Sequence, residues 1–360
     1  MKSYIIRRLL LIVPTIFGIL LANFIIIQFT PGGHIERIVA RYAFGSNAQL
    51  YNSVNSSEYN NRQPDVHRDT ESSVQAFIHE FEVRFGFDKP AYVRFFMMTW
   101  DYLRFDFGKS YYRNESVLNI IIEKFPVSLS LAFWGMLIMY MFAIPLGIRK
   151  AVRYGTQFDV WSSVIMNVLC AIPSFILAVL LIVLFAGGSY LNIFPIRGLV
   201  SANWHDLNLW NRIIDYLWHI TLPVTCMALS GFAMLTMLTK NSFVDELNKL
   251  YVMTARSKGL TDRAVMFRHI FRNAMLIVIS SFPLIFLSML FTGSMLIEVI
   301  FSLDGIGLLG FQSVLNRDYP IVFAILYIYT LMGLVFKLVS DVMLTIIDPR
   351  INFNAAHNGN

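Results

Sequence analysis

Three short strings in this chain contain residue types that do chemistry in other proteins. Gly108-Lys109-Ser110 has the ending of a phosphate-binding loop, and His79-Glu80 has the beginning of a zinc-protease helix. Gly305-Ile306-Gly307 has the glycine spacing that begins a dinucleotide-binding turn. The first string has Leu103 where the phosphate loop needs a glycine, and the second has Val83 where zinc needs its other histidine. The third string follows a long apolar stretch rather than a strand, so none of the three predicts a site.

The sequence therefore predicts no catalytic, cofactor-binding or metal-binding residues in this chain. Its two cysteines, Cys170 and Cys226, lie in separate apolar stretches and form no disulfide or metal-ligand pattern, so both are interpreted as small core residues. If the protein moves a solute uphill, the energy must come from a partner.

The best candidate for a functional site is a polar, basic segment from Tyr251 to Asn273, YVMTARSKGLTDRAVMFRHIFRN, which lies between two long apolar stretches. The spacing predicts two short amphipathic helices, with Gly259 ending the first in a left-handed conformation and Thr261 capping the second. Small groups at Ala255, Ser257 and Gly259 would let a partner approach the backbone closely. The segment also carries five cations that could face an acidic rim: Arg256, Lys258, Arg263, Arg268 and Arg272. The alternative is an ordinary basic cytoplasmic loop held by lipid headgroups.

Composition identifies the elements that must position this segment as membrane-spanning helices. The chain has 360 residues, of which 56% are hydrophobic and 14% charged, and its mean hydropathy is +0.58. A hydrocarbon core about 30 Å thick needs about 20 apolar residues per helix. Six stretches are long enough, which predicts an all-α polytopic membrane protein with spans near 9–29, 126–148, 160–187, 220–240, 275–300 and 320–347.

Basic residues predict the orientation of these spans. Fourteen lysines and arginines fall in one set of loops and ends, whereas the short loops of the other set hold Arg197, Arg212 and Arg317. Because loops rich in Lys and Arg stay inside, both termini and the basic segment are predicted to be cytoplasmic. The net charge of +6 follows from this topology. Nucleic-acid binding is therefore not expected, whereas membrane lipid is an expected partner.

The predicted domains follow from the spans. Residues 1–29 form an uncleaved N-terminal anchor and first span, because the apolar stretch is too long for a signal peptide. Residues 30–125 form a periplasmic insertion between the first two helices, residues 126–350 form a five-helix core with cytoplasmic coupling helices at 245–273, and residues 351–360 form a cytoplasmic tail. The first half of the insertion is rich in Asn and Ser and is expected to be a flexible excursion.

The basic segment presents its residues in a particular order, and other landmarks accompany it along the whole chain. The ordered residues are Tyr251, Val252, Thr254, Ala255, Arg256, Lys258, Gly259, His269, Arg272, Asn273 and Ala274. The landmarks are Arg7-Arg8-Leu9, Pro31-Gly32-Gly33, FGFDKP at 85–90, FDFGKS at 105–110, AIPSF at 171–175 and Asp348-Pro349-Arg350. Together they resemble permease subunits of oligopeptide- and dipeptide-type ABC importers. Longer strings such as LFAGGSY, DYLWHITLP and NRDYP are similar to a subgroup that takes up peptides and the peptide-nucleotide antibiotic microcin C.

This resemblance implies a type I ABC importer permease fold, with the chain forming half of a translocation pore in the bacterial inner membrane. It also implies several partners: a homologous second permease subunit, a cytosolic ABC ATPase, a periplasmic substrate-binding protein and a peptide substrate. The coupling residues that it implies are Tyr251, Thr254, Ala255, Arg256, Lys258, Gly259, His269 and Arg272. The segment departs from the general importer motif, which begins Glu-Ala-Ala where this chain has Met253-Thr254-Ala255.

The sequence leaves the solute open. A permease for dipeptides, nickel or another small solute is the alternative within transport. A membrane enzyme or receptor is disfavoured, because the sequence presents no nucleophile–base set and only a short tail after Arg350.

Polar residues inside spanning helices are expensive, so they are candidates for a water-filled path. The candidates are Asn167, Ser174, Thr292 and Glu298, although Ser and Thr often only bond their own helix backbone.

Lys337 and Asp341 lie four residues apart on the last predicted helix and therefore share a face. Either charge alone at the bilayer centre would cost about 2.5–3.5 kcal/mol. We predict an intramembrane ion pair, made with each other or with the second subunit, in preference to a proton relay.

Overall fold

The computed structural model describes residues 2–29, 89–113, 115–187 and 190–347. All the long regular elements in these ranges are helical, which confirms the all-α prediction. Most of the predicted insertion, including its Asn/Ser-rich half, and the predicted tail at 351–360 lie outside the described residues.

The chain divides into two compact units, of which the smaller comprises Val13–Phe107. It contains most of helix α1 (Lys2–Phe29) and helix α2 (Ala91–Leu103). Phe95 of α2 meets two phenylalanines of α1 edge to face, with its ring centroid 5.2 Å from that of Phe17 and 5.5 Å from that of Phe24.

The larger unit, Met1–Ile12 with Gly108–Asn360, contains the remaining described helices. In chain order they are α3 (Val117–Val152), α4 (Gln157–Ala171), α5 (Ser174–Phe185), α6 (Leu209–Leu247), α7 (Leu250–Ser257), α8 (Asp262–Val265), α9 (Phe271–Ser288), α10 (Met295–Phe301), α11 (Ile306–Asn316) and α12 (Tyr319–Ile347). Two π-helical segments, Met266–Ile270 and Met289–Gly293, join α8 to α9 and lead from α9 towards α10.

Helices α3 and α6 form the centre of this unit and pack along much of their length. Glycine permits their closest approach: a Cβ atom added at Gly147 would lie 2.6 Å from the Cβ atom of Thr239 and 2.8 Å from the carbonyl oxygen of Thr236. Small residues at a helix interface allow two backbones to come together inside a membrane, where no hydrophobic force drives helix pairing.

Four described helices or helix runs are long and apolar enough to cross a membrane: Val117–Val152, Leu209–Leu247, Asp262–Phe301 and Tyr319–Ile346. The pair α4–α5 brings the number to five if it is one broken span. Helix α1 is apolar between Leu10 and Ile26, and the count of six spans remains a prediction.

The prediction of one continuous helix over 160–187 is wrong. Helices α4 and α5 meet at an angle of 91°. Pro173 has no N–H to continue the helix, and it forces the preceding Ile172 into an extended conformation at φ −83° and ψ 116°. The spans predicted at 126–148, 220–240 and 275–300 lie within longer helical runs, because these runs continue through polar ends that a hydropathy count leaves out. The last predicted span, 320–347, agrees with Tyr319–Ile346 to within one residue at each end.

Candidate functional site

The basic segment folds as a helix–corner–helix that follows directly on α6. Helix α7 is separated from α6 by a short break at Asn248 and Lys249. Gly259 has a φ of +81°, and Thr261 caps α8 by accepting a hydrogen bond from the Ala264 amide at 3.3 Å. The predicted glycine corner and the predicted cap are therefore confirmed.

One face of α7 packs against the rest of the chain. Val252 is 0% exposed and Ala255 is 6% exposed, and both belong to the hydrophobic core. Residues three apart lie on the same face of a helix, so these two side chains point inward together. The expectation that Ala255 meets a partner is corrected on this ground: its small size serves packing within this chain.

The opposite face of the segment is exposed and basic. Its exposed members from the predicted set are Thr254, Arg256, Lys258, Gly259, His269 and Arg272. The Nε atom of Arg256 lies 3.1 Å from the Oδ1 atom of Asp262 across the glycine corner, an exposed ion pair of small energetic weight. The Thr254 hydroxyl donates to the carbonyl of Leu250 within its own helix, 3.0 Å away. A Cβ atom at Gly259 would meet nothing within 4 Å, so positive φ alone favours glycine at this corner.

Tyr251 fastens the segment to the ends of the long helices on either side. Its hydroxyl donates to the carboxylate of Glu246 near the end of α6 and accepts from the Asn273 amide of α9 at 3.3 Å. Lys249 also pairs with Glu246. Burial, and then the neighbouring Glu246 carboxylate, raise the pKa of the Tyr251 phenol to about 12. Tyr251 is thus a positioning residue, because it links the basic segment to two spanning helices.

A buried charge cluster near the same end of α6 was not predicted. The Nζ atom of Lys240 lies 2.7 Å from the Asp159 carboxylate, and the Nζ atom of Lys150 lies 3.4 Å from it. Lys150 is 0% exposed and donates to the hydroxyls of Ser162 and Ser163, each at 2.7 Å. The cluster ties together α3, α4 and α6. The three charges are visible in the sequence near the ends of predicted spans, but no local pattern says that they meet.

The predicted path residues differ in exposure. Asn167 is exposed on α4, and Ser174 is half-buried at the first position of α5. Thr292 lies in the second π-helical segment, and its side chain is outside the described ones.

Glu298 is fully enclosed, although its predicted place was on an open path. Its carboxylate is 0% exposed and accepts from the Ser128 hydroxyl at 2.6 Å and from the Leu308 amide at 2.8 Å. Leu308 lies in the first turn of α11, so Glu298 caps that helix where its dipole favours a negative charge. A Cβ atom at Gly305 would lie 2.5 Å from this carboxylate, which explains that glycine without a nucleotide. The geometry favours an anchoring role over a place on the path.

Asp341 has a nearer partner than the predicted one. Its carboxylate lies 2.5 Å from the Arg8 guanidinium of α1 and 3.9 Å from the Nζ atom of Lys337. The Asp341 side chain is 7% exposed, whereas that of Lys337 is 49% exposed. Arg8 therefore provides the main compensation for the buried carboxylate, and it joins the start of the first helix to the end of the last.

These features define a class of protein: a polytopic bundle of helices with a rigid basic segment clamped between two spanning helices. Residues 143–353 match the family described as binding-protein-dependent transport system inner membrane component. The chain belongs to this family, so it is a multi-pass inner-membrane permease subunit of an ABC transport system.

Within the family, the chain is similar over nearly its whole length to proteins called YejB. It is 51% identical to the inner membrane ABC transporter permease protein YejB of Escherichia coli O157:H7, over 98% of this chain and 99% of that protein. It is 54% identical to the peptidoglycan transport system permease protein YejB of Agrobacterium fabrum, with the same coverage. It is 30% identical to the oligopeptide transport system permease protein AppB of Bacillus subtilis, over 98% and 100%. The predicted resemblance is confirmed.

Proposed function

We propose that this chain forms half of the translocation pore of an ATP-driven importer for peptides. The observation that carries the proposal is the exposed basic corner at Gly259, held by Tyr251 to both α6 and α9. An exposed element fixed to two spanning helices can pass a displacement at its surface into the membrane. Full-length similarity to transport permeases supports the same conclusion.

The partner that displaces the corner is a cytosolic ABC ATPase, which binds ATP and Mg. Closure of its nucleotide-binding domains moves residues 245–273 as a rigid body, and the pore changes between inward and outward access. A homologous second permease subunit completes the pore, and a periplasmic binding protein delivers the solute. The chain itself has no catalytic step in this scheme.

The orientation proposed is the one that the basic residues predict, with both termini and the Gly259 corner in the cytoplasm. The contact between Arg8 and Asp341 supports it, because this contact brings the beginning of α1 to the end of α12. The Lys150–Asp159–Lys240 cluster lies near the same end of α6 as the corner, which adds to the positive charge there.

The solute class is supported by the relatives, whose names mention oligopeptides and peptidoglycan, a polymer with peptide branches. Short peptides and microcin C-like peptide conjugates are the proposed substrates. A peptidoglycan fragment is the second candidate, favoured by the 54% identical relative.

Uptake in cells tests this function. Deleting the gene should abolish import of radiolabelled trialanine in a strain that lacks other peptide importers, and the intact gene should restore it. Excess unlabelled peptide should compete, whereas nickel should not. A peptidoglycan tripeptide that competes at least tenfold better than trialanine would favour the second candidate. Unchanged uptake after the deletion would refute the peptide proposal.

A further inference from the structure

A cleft of about 490 Å³ lies beside the first turns of α6, far from the coupling segment. About 30 residues of helix separate Asp215 in this cleft from the end of α6, a distance of about 48 Å at 1.5 Å per residue. Its walls are residues 192–195, parts of the loop that precedes α6, and one face of α6 itself. The size suits one or two amino-acid residues, since ligand pockets usually measure about 300–1,000 Å³.

The cleft has a negative charge at Asp215, whose Oδ1 atom lies 3.6 Å from the Nδ1 atom of His219. Asp215 lines it with a carboxylate that is 15% exposed, and no lysine or arginine is among its described lining residues. Arg212, one turn earlier on α6, instead donates to the carbonyls of Trp204 and His205. Ser201 holds the carboxylate through its amide at 2.8 Å and its hydroxyl at 2.5 Å, so the carboxylate is fixed in place.

His219 also lines the cleft. Its Nδ1 atom lies 2.8 Å from the backbone carbonyl oxygen of Asp215. A carbonyl oxygen can only accept, so Nδ1 carries the proton in this contact. Asn192 and Asn211 also line the cleft, each with an amide oxygen.

The cleft thus presents a fixed carboxylate, two asparagine side chains and an aromatic wall. The wall is formed by Phe194 and Trp218, whose ring centroids lie 5.9 Å apart, and Trp218 is 47% exposed. A primary ammonium has three donors and no acceptor, and it gains further from an aromatic face.

We propose that this cleft binds the amino-terminal ammonium of a peptide before the peptide enters the pore, with the first side chain against Trp218. The inference rests on the proposed peptide import and adds a recognition site on the permease itself. A lysine of the binding protein has the same chemistry, and the experiment separates the two sources.

The test measures binding of radiolabelled trialanine to the purified complete transporter in lipid nanodiscs, without nucleotide or binding protein. Asp215→Asn should weaken binding at least tenfold, and N-acetyl-trialanine should bind the wild type at least tenfold more weakly than trialanine. The matched control is Asp206→Asn, which removes one exposed carboxylate from the loop that precedes α6, outside the cleft. This variant should leave trialanine binding unchanged.

A second variant keeps Asp215 and its bonds to Ser201. Asn211→Lys places an ammonium four residues before Asp215 on the same helix face, where it can fill the site from within the chain. It should weaken trialanine binding as Asp215→Asn does, while the melting temperature of the complex stays that of the wild type.

Three results would overturn the inference. The first is trialanine affinity at the wild-type value in both Asp215→Asn and Asn211→Lys, and the second is equal binding of acetylated and free trialanine. The third is an Asp215→Asn transporter that loses affinity for the binding protein but still binds trialanine. The last would assign the ammonium to the binding protein. If cells import trialanine but the purified transporter does not bind it at the cleft, the cleft site is refuted and the proposed function is not. Cells that do not import it would refute the proposed function independently.

Discussion

At the scale of single residues, the coupling segment has an inner and an outer face that differ in what they tolerate. Ala255→Arg should lower the melting temperature of the complex, because overpacking a core position costs about 1–3 kcal/mol and Ala255 is 6% exposed. Ser257→Arg makes the same change at an exposed position two residues away and should leave the melting temperature unchanged. Equal melting temperatures for the two variants would contradict the inward placement of Ala255.

Tyr251 gives a second prediction at this scale. Tyr251→Phe removes the hydroxyl that joins Glu246 to Asn273, at a cost of about 1–3 kcal/mol for the unsatisfied partners. We expect faster proteolysis within residues 249–273 and reduced uptake. Tyr154→Phe is the control, because Tyr154 is 65% exposed and keeps its ring under Lys240. Proteolysis at the wild-type rate in Tyr251→Phe would refute the clamp.

The raised pKa of Tyr251 also has a pH consequence with a definite sign. The unfolded phenol loses its proton near pH 10, whereas the folded one keeps it to about pH 12. Within this window the folded state binds more protons, so the stability contributed by the Tyr251 hydroxyl is complete below pH 10 and is lost as the pH rises to 12.

At the scale of helices, buried carboxylates join elements that are distant in sequence. Glu298 links α10 to α3 and to the beginning of α11. Glu298→Gln puts an amide nitrogen opposite one of two donors and should destabilise the complex by about 1–3 kcal/mol, measured by thermal unfolding. Glu123→Gln is the matched control, since its side chain is 65% exposed. Unfolding of Glu298→Gln at the wild-type temperature would show that the cap contributes nothing.

The first and last helices depend on Arg8 in the same way. Arg8→Met should lower the yield of assembled complex, by part of the about 3–5 kcal/mol known for fully buried pairs, because Arg8 is one-third exposed. Lys337→Met should have a smaller effect, since Lys337 is 49% exposed and farther from Asp341. Adding Asp341→Leu to Arg8→Met should restore the yield. A greater loss of assembled complex in Lys337→Met than in Arg8→Met would show that Lys337 is the main partner of Asp341.

At the scale of the whole molecule, the proposed orientation is tested by labelling in a variant without Cys170 and Cys226. A cysteine at Asn203 should react with a membrane-impermeant thiol reagent added from the periplasm, whereas one at Ser257 should react only after the inner membrane is opened. Both positions are exposed in this chain. The reverse pattern would invert the topology and remove the ATPase from the Gly259 corner.

The sequence by itself determined the features that depend only on residues close together in the chain. Apolar runs of sufficient length predict spanning helices, and a glycine followed by Thr261 predicts the corner and cap that the structure contains. Pro173 was visible too, although hydropathy averaged over 160–187 concealed the break that it makes.

Only the tertiary structure decided which distant groups meet. The sequence places Asp341 four residues from Lys337, but the tertiary structure brings Arg8 closer. The small size of Ala255 suits either a partner contact or the core. The charge of Glu298 suits either a residue that lines a path or one that closes it. Side-chain identity fixes what a group needs, such as a cation or a donor. The contact that meets this need depends on which helix faces are buried together. The free energy of burying those faces is shared among residues far apart in the chain.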